Sequence, residues 1–172
     1  MAREKQLSGK LAKNELILPV VALITIVLDQ ITKRIVLSSL GPAGAWAPVP
    51  ALERWFSFTL VTNSGAAFGL FPGLGYVFMV VAIVVVVVIA VYYWHMPKGQ
   101  LLVNVSLGLQ LGGAIGNLLD RVRYGYVIDF IDFKIWPVFN LADTSIVIGV
   151  GLLALALLRE PAEERSSVAE SK

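Results

Sequence analysis

Long apolar runs alternate with short polar breaks along the chain. Four runs, at about 16–37, 75–94, 101–119 and 139–158, come close to the ~20 residues that a helix needs to cross a bilayer. The five consecutive valines at 84–88 would favour a strand in water, but they indicate a lipid-facing helix here, because an open strand cannot satisfy its backbone in hydrocarbon. The pattern therefore predicts an all-α integral membrane protein with four transmembrane helices.

The segment between the first two runs has two parts. Residues 41–50 are rich in Gly, Ala and Pro, and we expect no regular structure there. Residues 52–62 (LERWFSFTLVT) are aromatic and β-branched and predict a short strand, followed by a turn at 63–65. Apolar side chains on both faces of this strand suit a platform that touches lipid or an extended peptide, and a packed loop is the alternative.

Both ends of the chain are polar. Residues 1–15 are predicted to be a cytoplasmic extension, and 159–172 a disordered cytoplasmic tail. No small-residue cleavage motif follows the first run, so that run is predicted to stay as a span. Eight Lys and Arg lie on the side of the termini and six on the other, and the four before the first run favour termini inside the cell. Loops 38–74 and 120–138 then face outward.

Composition narrows the possible functions. The chain is 57% apolar and 15% charged, which is too apolar for an ordinary soluble domain. It has no cysteine, which excludes disulfides and thiol nucleophiles, and one histidine, His95, which cannot form a two-histidine metal site alone. A net charge of +2 without a basic stripe gives no support to a nucleic-acid partner.

Carboxylates are sorted by type along the sequence. Six of the seven glutamates lie in the tails or at their edges, whereas four of the five aspartates lie in 112–143, between two apolar runs. Charge at the end of a membrane span is costly and needs a reason. We therefore expect an active site at a membrane surface, built by this segment.

Helical spacing relates several of the remaining residues. Gly108, Gly112 and Gly116 recur every four residues, and small residues at that spacing allow close helix packing. Asp29 and Lys33 have the favourable order for an i,i+4 ion pair, which predicts a structural pair at the end of a span, with a direct catalytic role as the alternative.

A neighbouring stripe carries Asn117 and Arg121, which should point in one direction from the end of the third helix. The guanidinium fork suits a carboxylate, a phosphate or a peptide carbonyl. Alternatively, Arg121 pairs with Asp120 or reaches lipid headgroups.

Two interpretations compete for the other aspartates. Asp129 is a lone carboxylate in an apolar run, which should raise its pKa, while Asn140 and Asp143 suit helix capping. If Asp129 and Asp143 meet, they share a proton, and one acts as a base on water while the other donates a proton. Asp129 and Asp132 could instead bind a divalent cation together with Asp120. Five aspartates form ten pairs, and spacing alone does not rank them.

Five stretches resemble, in the same order, the motifs of the bacterial lipoprotein signal peptidases (signal peptidase II). They are DQITK at 29–33, NSGAAF at 63–68, GGAIGNLLDR at 112–121, GYVIDF at 125–130 and FNLAD at 139–143. The resemblance covers about 16–158, which we expect to be the membrane peptidase domain.

This resemblance implies an aspartic endopeptidase of the bacterial inner membrane with both termini cytoplasmic. Such enzymes remove signal peptides from diacylglyceryl-modified prolipoproteins, cutting before the lipid-modified cysteine at the extracytoplasmic interface. The expectation is therefore a monomer whose partners are that substrate and membrane lipid, with no cofactor, no metal and no nucleic acid. A small extracytoplasmic β-cradle is expected between helices 1 and 2.

By the same resemblance, Asp129 and Asp143 form the catalytic pair, and Asp29 and Lys33 are structural polar residues. Asp132 has no assignable role in the family and is expected at the surface. The positions that line the site and hold substrate or the pair are Asn63, Asn117, Asp120, Arg121 and Asn140.

Two other classes of function remain as alternatives. A small transporter or channel subunit would use Asp29 as a coupling-ion site and the glycine face for dimerisation. A metal-dependent lipid-headgroup transferase would use Asp120, Asp129 and Asp132.

Overall fold

Four helices account for most of the structure, a computed structural model that describes residues 16–42, 44–65, 74–95 and 100–159. In these ranges the helices are α1 (Ile17–Leu40), α2 (Gly75–His95), α3 (Leu101–Tyr124) and α4 (Leu141–Arg159). Three of them, α2, α3 and α4, are long and apolar enough to cross a membrane. The 24-residue helix α1 is also long enough, but every 18-residue stretch within it contains Asp29, Lys33 and Arg34.

The helices continue past the apolar runs into polar residues. Helix α3 ends at Tyr124, where Gly125 adopts a left-handed conformation with φ of 81° and its N–H donates to the Arg121 carbonyl over 2.9 Å. Glycine takes this conformation without the steric cost that other residues incur. The extra turn carries Asp120 and Arg121 within the helix. The predicted extension 1–15 and all but the first residue of the predicted tail lie outside the described residues.

A small antiparallel sheet lies beside the helices. Its strands are β1 (Ala45–Trp46), β2 (Ser57–Asn63) and β3 (Val127–Asp132), in the order β1-β2-β3. Trp46 pairs with Phe58, and Val61 pairs with Asp129, with an irregular register between Phe58 and Val61. The sheet therefore joins the loop that follows α1 to the segment that follows α3.

Three expectations about this region were wrong in detail. The strand predicted over 52–62 begins only at Ser57, because a 3-10 helix over Pro50–Leu52 and a turn precede it. The segment 41–50 does contain regular structure, since β1 pairs with β2 there. The sheet is not confined to the loop between helices 1 and 2, because β3 follows α3. The predicted turn is confirmed where the Gly65 N–H donates to Asn63 Oδ1 over 3.0 Å.

Helix α3 lies at the centre and packs on α1 through its glycine face. A Cβ added at Gly112 would lie 2.6 Å from Thr25 Cβ and 2.7 Å from the Ala22 carbonyl oxygen. At Gly108 and Gly116 the nearest atom of α1 would lie 2.8 Å and 2.6 Å away. The packing interpretation of the glycine spacing is confirmed. Because α1 occupies this face, it is not free to form a dimer interface.

A leucine in place of Gly112 should push α1 away from α3. Overpacking a close contact costs about 1–3 kcal/mol or more, so Gly112→Leu should lower both the yield of monodisperse protein in detergent and its unfolding temperature. The control is Gly151→Leu, on an exposed position of α4 where an added Cβ meets no atom within 4 Å. Equal stability of the two variants would contradict this account of the packing.

Candidate active site

Four elements bring polar side chains to one cleft of about 580 Å³ at one end of the helices. Asn63 ends β2, Asp129 lies on β3, and Asp143 lies in the first turn of α4. Asn117 and Arg121 reach the cleft from α3, as their shared stripe predicted. The remaining lining is mostly apolar and consists of Val127, residues 136–139, Thr144 and residues 146–148.

Asp129 is almost fully buried, with 2% of its surface exposed. Its Oδ2 accepts a hydrogen bond from Asn63 Nδ2 over 3.0 Å, and its Oδ1 accepts one from Asn140 Nδ2 over 2.7 Å. Burial, and then the negative charge of Asp143, raise the pKa of Asp129 to about 6, although the two amide donors favour the charged form. The direction predicted from its apolar neighbours in the sequence is confirmed.

Asp143 is held by its own helix and by α3. Its backbone N–H donates to Asn140 Oδ1 over 2.9 Å, and Asp143 Oδ2 accepts the Asn140 N–H over 3.3 Å, which is a reciprocal cap at the start of α4. Its Oδ1 accepts from Asn117 Nδ2 over 2.8 Å. The capping interpretation is confirmed, and it does not exclude the pair, because the capped carboxylate also lines the cleft.

Two side-chain amides join the two carboxylates. Asn140 Nδ2 donates to Asp129 Oδ1 and also to Asn117 Oδ1, the latter over 3.0 Å. Asn117 in turn donates to Asp143. The structure therefore brings Asp129 and Asp143 into one hydrogen-bonded network in which each carboxylate faces an amide donor.

Beneath this network lies a buried ionic cluster. Lys33 Nζ lies 2.9 Å from Asp29 Oδ2 and 2.7 Å from Asp120 Oδ2. The predicted i,i+4 pair of Asp29 and Lys33 is confirmed. It is buried between helices, and Lys33 also contacts Asp120 of α3. Asp29 Oδ1 accepts the Ala142 N–H over 3.0 Å, and Asp120 Oδ2 accepts the Ile128 N–H over 3.2 Å.

Gln30 also belongs to this cluster, and sequence reasoning gave it no role. Its Nε2 donates to Asp29 Oδ2 over 3.2 Å and to Asp120 Oδ1 over 2.9 Å, while its Oε1 accepts from Arg123 over 2.8 Å. The available signal was its position directly after Asp29, within the DQITK stretch. An amide next to a buried carboxylate on an apolar helix needs hydrogen-bond partners on a neighbouring helix.

Arg121 does not pair with Asp120, so that alternative is wrong. Asp120 faces α1 and binds Lys33, whereas Arg121 faces the cleft, where its Nη2 donates to the Gly65 carbonyl over 3.3 Å. Its guanidinium also lies 6.0 Å from the centre of the Phe78 ring. Its buried Nε has no hydrogen-bond partner within the described parts of the chain.

The sequence led us to expect Asp132 at the surface, and this expectation was wrong. It is 8% exposed, and it accepts from Thr59 Oγ1 over 2.9 Å and from Lys134 Nζ over 2.6 Å. Side chains at odd and even positions of a strand point to opposite faces, so Asp129 and Asp132 diverge. With Asp120 bound to Lys33, the three carboxylates of the alternative metal site do not meet, and the described residues hold no group of three suitable metal ligands.

Comparison with known proteins identifies relatives over most of the chain. The model of the signal peptidase (SPase) II family, Peptidase_A8, matches residues 21–159. The lipoprotein signal peptidase of Halothermothrix orenii is 46% identical over 141 residues, which cover 82% of this chain and 94% of that protein. That of Moorella thermoacetica is 42% identical over 143 residues, covering 83% of this chain and 93% of its own length.

Solved structures agree with this result. A bacterial membrane enzyme superimposes with a TM-score of 0.76 at 32% identity, over 83% of this chain and 87% of its own. A second bacterial membrane enzyme structure gives a TM-score of 0.73 at 31% identity, over 84% of this chain and 94% of its own.

The effect of the negative charge of Asp143 on the pKa of Asp129 should be measurable. Infrared titration of the protein in nanodiscs, with the carboxyl band assigned by its loss in Asp129→Asn, should give Asp129 a pKa of about 6. In Asp143→Asn that pKa should fall, because one of the two causes that raise it is removed. An unchanged titration in Asp143→Asn would show that the two carboxylates do not interact.

Proposed function

The chain belongs to the signal peptidase II family of lipoprotein signal peptidases, and we propose that Asp129 and Asp143 are the catalytic pair of this membrane peptidase. The observation that carries the proposal is their arrangement. Two carboxylates from separate elements line one cleft, each faces an asparagine donor, and the charge of Asp143 raises the pKa of Asp129.

In this mechanism the pair holds one proton between two carboxyl groups. The charged member takes a proton from a water molecule, and the hydroxide that results attacks the scissile carbonyl carbon. The protonated member donates to the carbonyl oxygen, which gives a tetrahedral intermediate. Collapse of that intermediate breaks the C–N bond, and the proton gained from water passes to the leaving amine. One hydroxyl group of the intermediate returns its proton to the other carboxylate, so the product acid forms and the pair again holds one proton. The charges act strongly because the cleft is apolar and poorly screened.

Arg121 is positioned to bind substrate rather than to form an internal ion pair. Its guanidinium lies beside the cleft, where it interacts electrostatically with both Asp143 and Asp129. It also donates a hydrogen bond to the backbone carbonyl of Gly65. A peptide carbonyl of the substrate can accept from the same group. Asn63, Asn117, Asp120 and Asn140 support the site through the hydrogen bonds described above.

The walls of the cleft fit a substrate that is partly lipid. Residues 146–148 of α4 line the cleft, and two of them also face outward, with Val147 71% exposed and Ile148 half-exposed. The cleft is therefore continuous with an apolar surface of the helix. This arrangement suits a prolipoprotein whose cysteine carries a diacylglyceryl group, cut before that cysteine.

We further infer that α1 is a fourth transmembrane helix. Two of its three charged residues, Asp29 and Lys33, are buried against α3, and the third, Arg34, is exposed towards the C-terminal end of the helix. Apolar side chains such as Leu23 and Val27 are exposed on its outer surface. Buried paired charges do not meet lipid, so they need not prevent insertion. With four spans both termini lie on the same side, and the four Lys and Arg before the first span favour the cytoplasmic side of the bacterial inner membrane. The proposed site then lies at the extracytoplasmic interface. The internal use of the glycine face is consistent with a monomer.

Loss of either carboxyl charge should stop cleavage. Asp129→Asn and Asp143→Asn should each slow the cleavage of a purified diacylglyceryl-modified prolipoprotein on the order of 100- to 10,000-fold, because general acid–base catalysis contributes that much. A gel-shift assay measures the product. Asp132→Asn is the control, since it removes a buried carboxylate outside the cleft and should leave turnover nearly unchanged. Near-normal turnover of either cleft variant would refute the pair, and loss of activity in chelator would refute a metal-independent reaction.

Cleavage should also depend on pH with a defined sign. The mechanism needs one proton on the pair, and a pKa of about 6 for Asp129 means that this proton is lost as pH rises through about 6. kcat/KM should therefore fall about tenfold per pH unit on the alkaline side. A constant kcat/KM from about pH 5 to about pH 8 would contradict this assignment of the proton.

A further inference from the structure

Lys33 is a buried charge that the proposed mechanism does not use. It is 1% exposed, and its ammonium group has three donors and no acceptor. All three donors are engaged, by Asp29 Oδ2 at 2.9 Å, Asp120 Oδ2 at 2.7 Å and Asn117 Oδ1 at 3.0 Å. The third contact, to Asn117, connects the ionic cluster to the hydrogen-bond network of Asp129 and Asp143.

That contact fixes which way the Asn117 amide points. Its oxygen receives two donors, from Lys33 and from Asn140. A rotated amide would direct its NH₂ group at an ammonium and at another NH₂ group, neither of which can accept. The nitrogen must therefore point the other way, towards Asp143 Oδ1 at 2.8 Å.

The same donor and acceptor order extends through Asn140 to Asp129. Because Asn117 presents an oxygen, Asn140 presents its NH₂ group to both Asn117 and Asp129, and its own oxygen remains free to accept the Asp143 N–H. The cap at the start of α4 favours the same orientation, because the Asp143 N–H can be accepted only by the Asn140 oxygen. Lys33 and this cap therefore hold the two amides in one polarity from opposite ends of the series.

The positive charge of Lys33 favours the charged form of Asp129, as the amide donors that it orients also do. It lowers the pKa of Asp129, against burial and the charge of Asp143. Within the described ranges, the other charged groups that face these residues are Arg121 at the cleft and Asp29 and Asp120 at Lys33 itself. Lys33 does not line the cleft, so it influences substrate indirectly, through the Asn117 amide, through its charge and through the two carboxylates that it binds.

We propose that Lys33 is a positioning residue for the catalytic pair: it orients the Asn117 amide and, together with the cap at the Asp143 N–H, holds both amides so that each carboxylate faces an N–H donor. This inference rests on the proposed function of Asp129 and Asp143. It assigns Lys33 a role in turnover in addition to holding the helices together.

The test uses a background in which removal of the ammonium leaves no unpaired carboxylate. Asp29→Asn with Asp120→Asn provides it, because neither position then leaves a buried carboxylate without its cation when Lys33 is replaced. Within it, Lys33 is kept, changed to Gln, which retains a donor, or changed to Met, which has none. Lys33→Met should reduce kcat roughly 10- to 100-fold relative to Lys33→Gln, with KM unchanged, because misoriented catalytic groups slow the chemical step.

The pH profile separates charge from orientation. Both Lys33→Gln and Lys33→Met should shift the alkaline limb of kcat/KM to higher pH than in the background that keeps Lys33, because both lack the charge that lowers the pKa of Asp129. A purely structural lysine would change the yield of folded protein and leave the profile in place. Equal kcat for the Gln and Met variants, or an unshifted limb, would overturn the proposal.

A second variant covers the case in which the neutral background does not fold. Asn117→Asp keeps an acceptor for Lys33 but replaces the donor to Asp143 with an oxygen, so kcat should fall while the protein remains folded. Full kcat in Asn117→Asp would overturn the proposal. These outcomes differ from failure of the proposed function, in which the wild-type protein leaves the prolipoprotein uncut or Asp129→Asn cleaves normally.

Discussion

The buried contact of Lys33 with Asp29 and Asp120 determines where the rest of the site lies. Each carboxylate of this cluster also binds one backbone N–H, from Ala142 and from Ile128, the residues directly before Asp143 and Asp129. One ammonium group therefore fixes the chain next to both proposed catalytic residues, on two different elements. Removing one partner of a buried ion pair typically costs about 3–5 kcal/mol, so the parts of the cluster depend on one another.

Close helix packing makes that contact possible. A Cβ at Gly116 would lie 2.6 Å from Asp29 Oδ2, so a larger residue there would displace the carboxylate that receives Lys33. The glycine face of α3 thus has two consequences. It lets α1 approach along its length, and it leaves room at one end for charges that are shielded from lipid. The close packing of α1 on α3 is therefore also a requirement for the buried charges beneath the cleft.

More of the candidate site than of the sheet could be predicted from the sequence. Apolar runs and the sorting of aspartates pointed to the segment that supplies most of the polar residues of the cleft, because both reflect the bilayer directly. The order of motifs selected Asp129 and Asp143, which both line that cleft. Strand β3 was missed because it is buried on both faces and shows no alternation. The partners of Asp120 were also missed, since Lys33 and Gln30 lie on another helix, and the burial of Asp132 was missed because it depends on the contact with Thr59 of β2.

The central claim is that the scissile bond lies between Asp129 and Asp143. An experimental structure of Asp129→Asn with an uncleaved diacylglyceryl-modified prolipoprotein peptide would test it directly. We expect the scissile carbonyl carbon in the cleft, with the side chains at 129 and 143 each within about 3–3.5 Å of the carbonyl group or of a water molecule beside it. A peptide bound instead on the opposite face of the sheet, in the cavity lined by α1 and Trp46, would contradict the account.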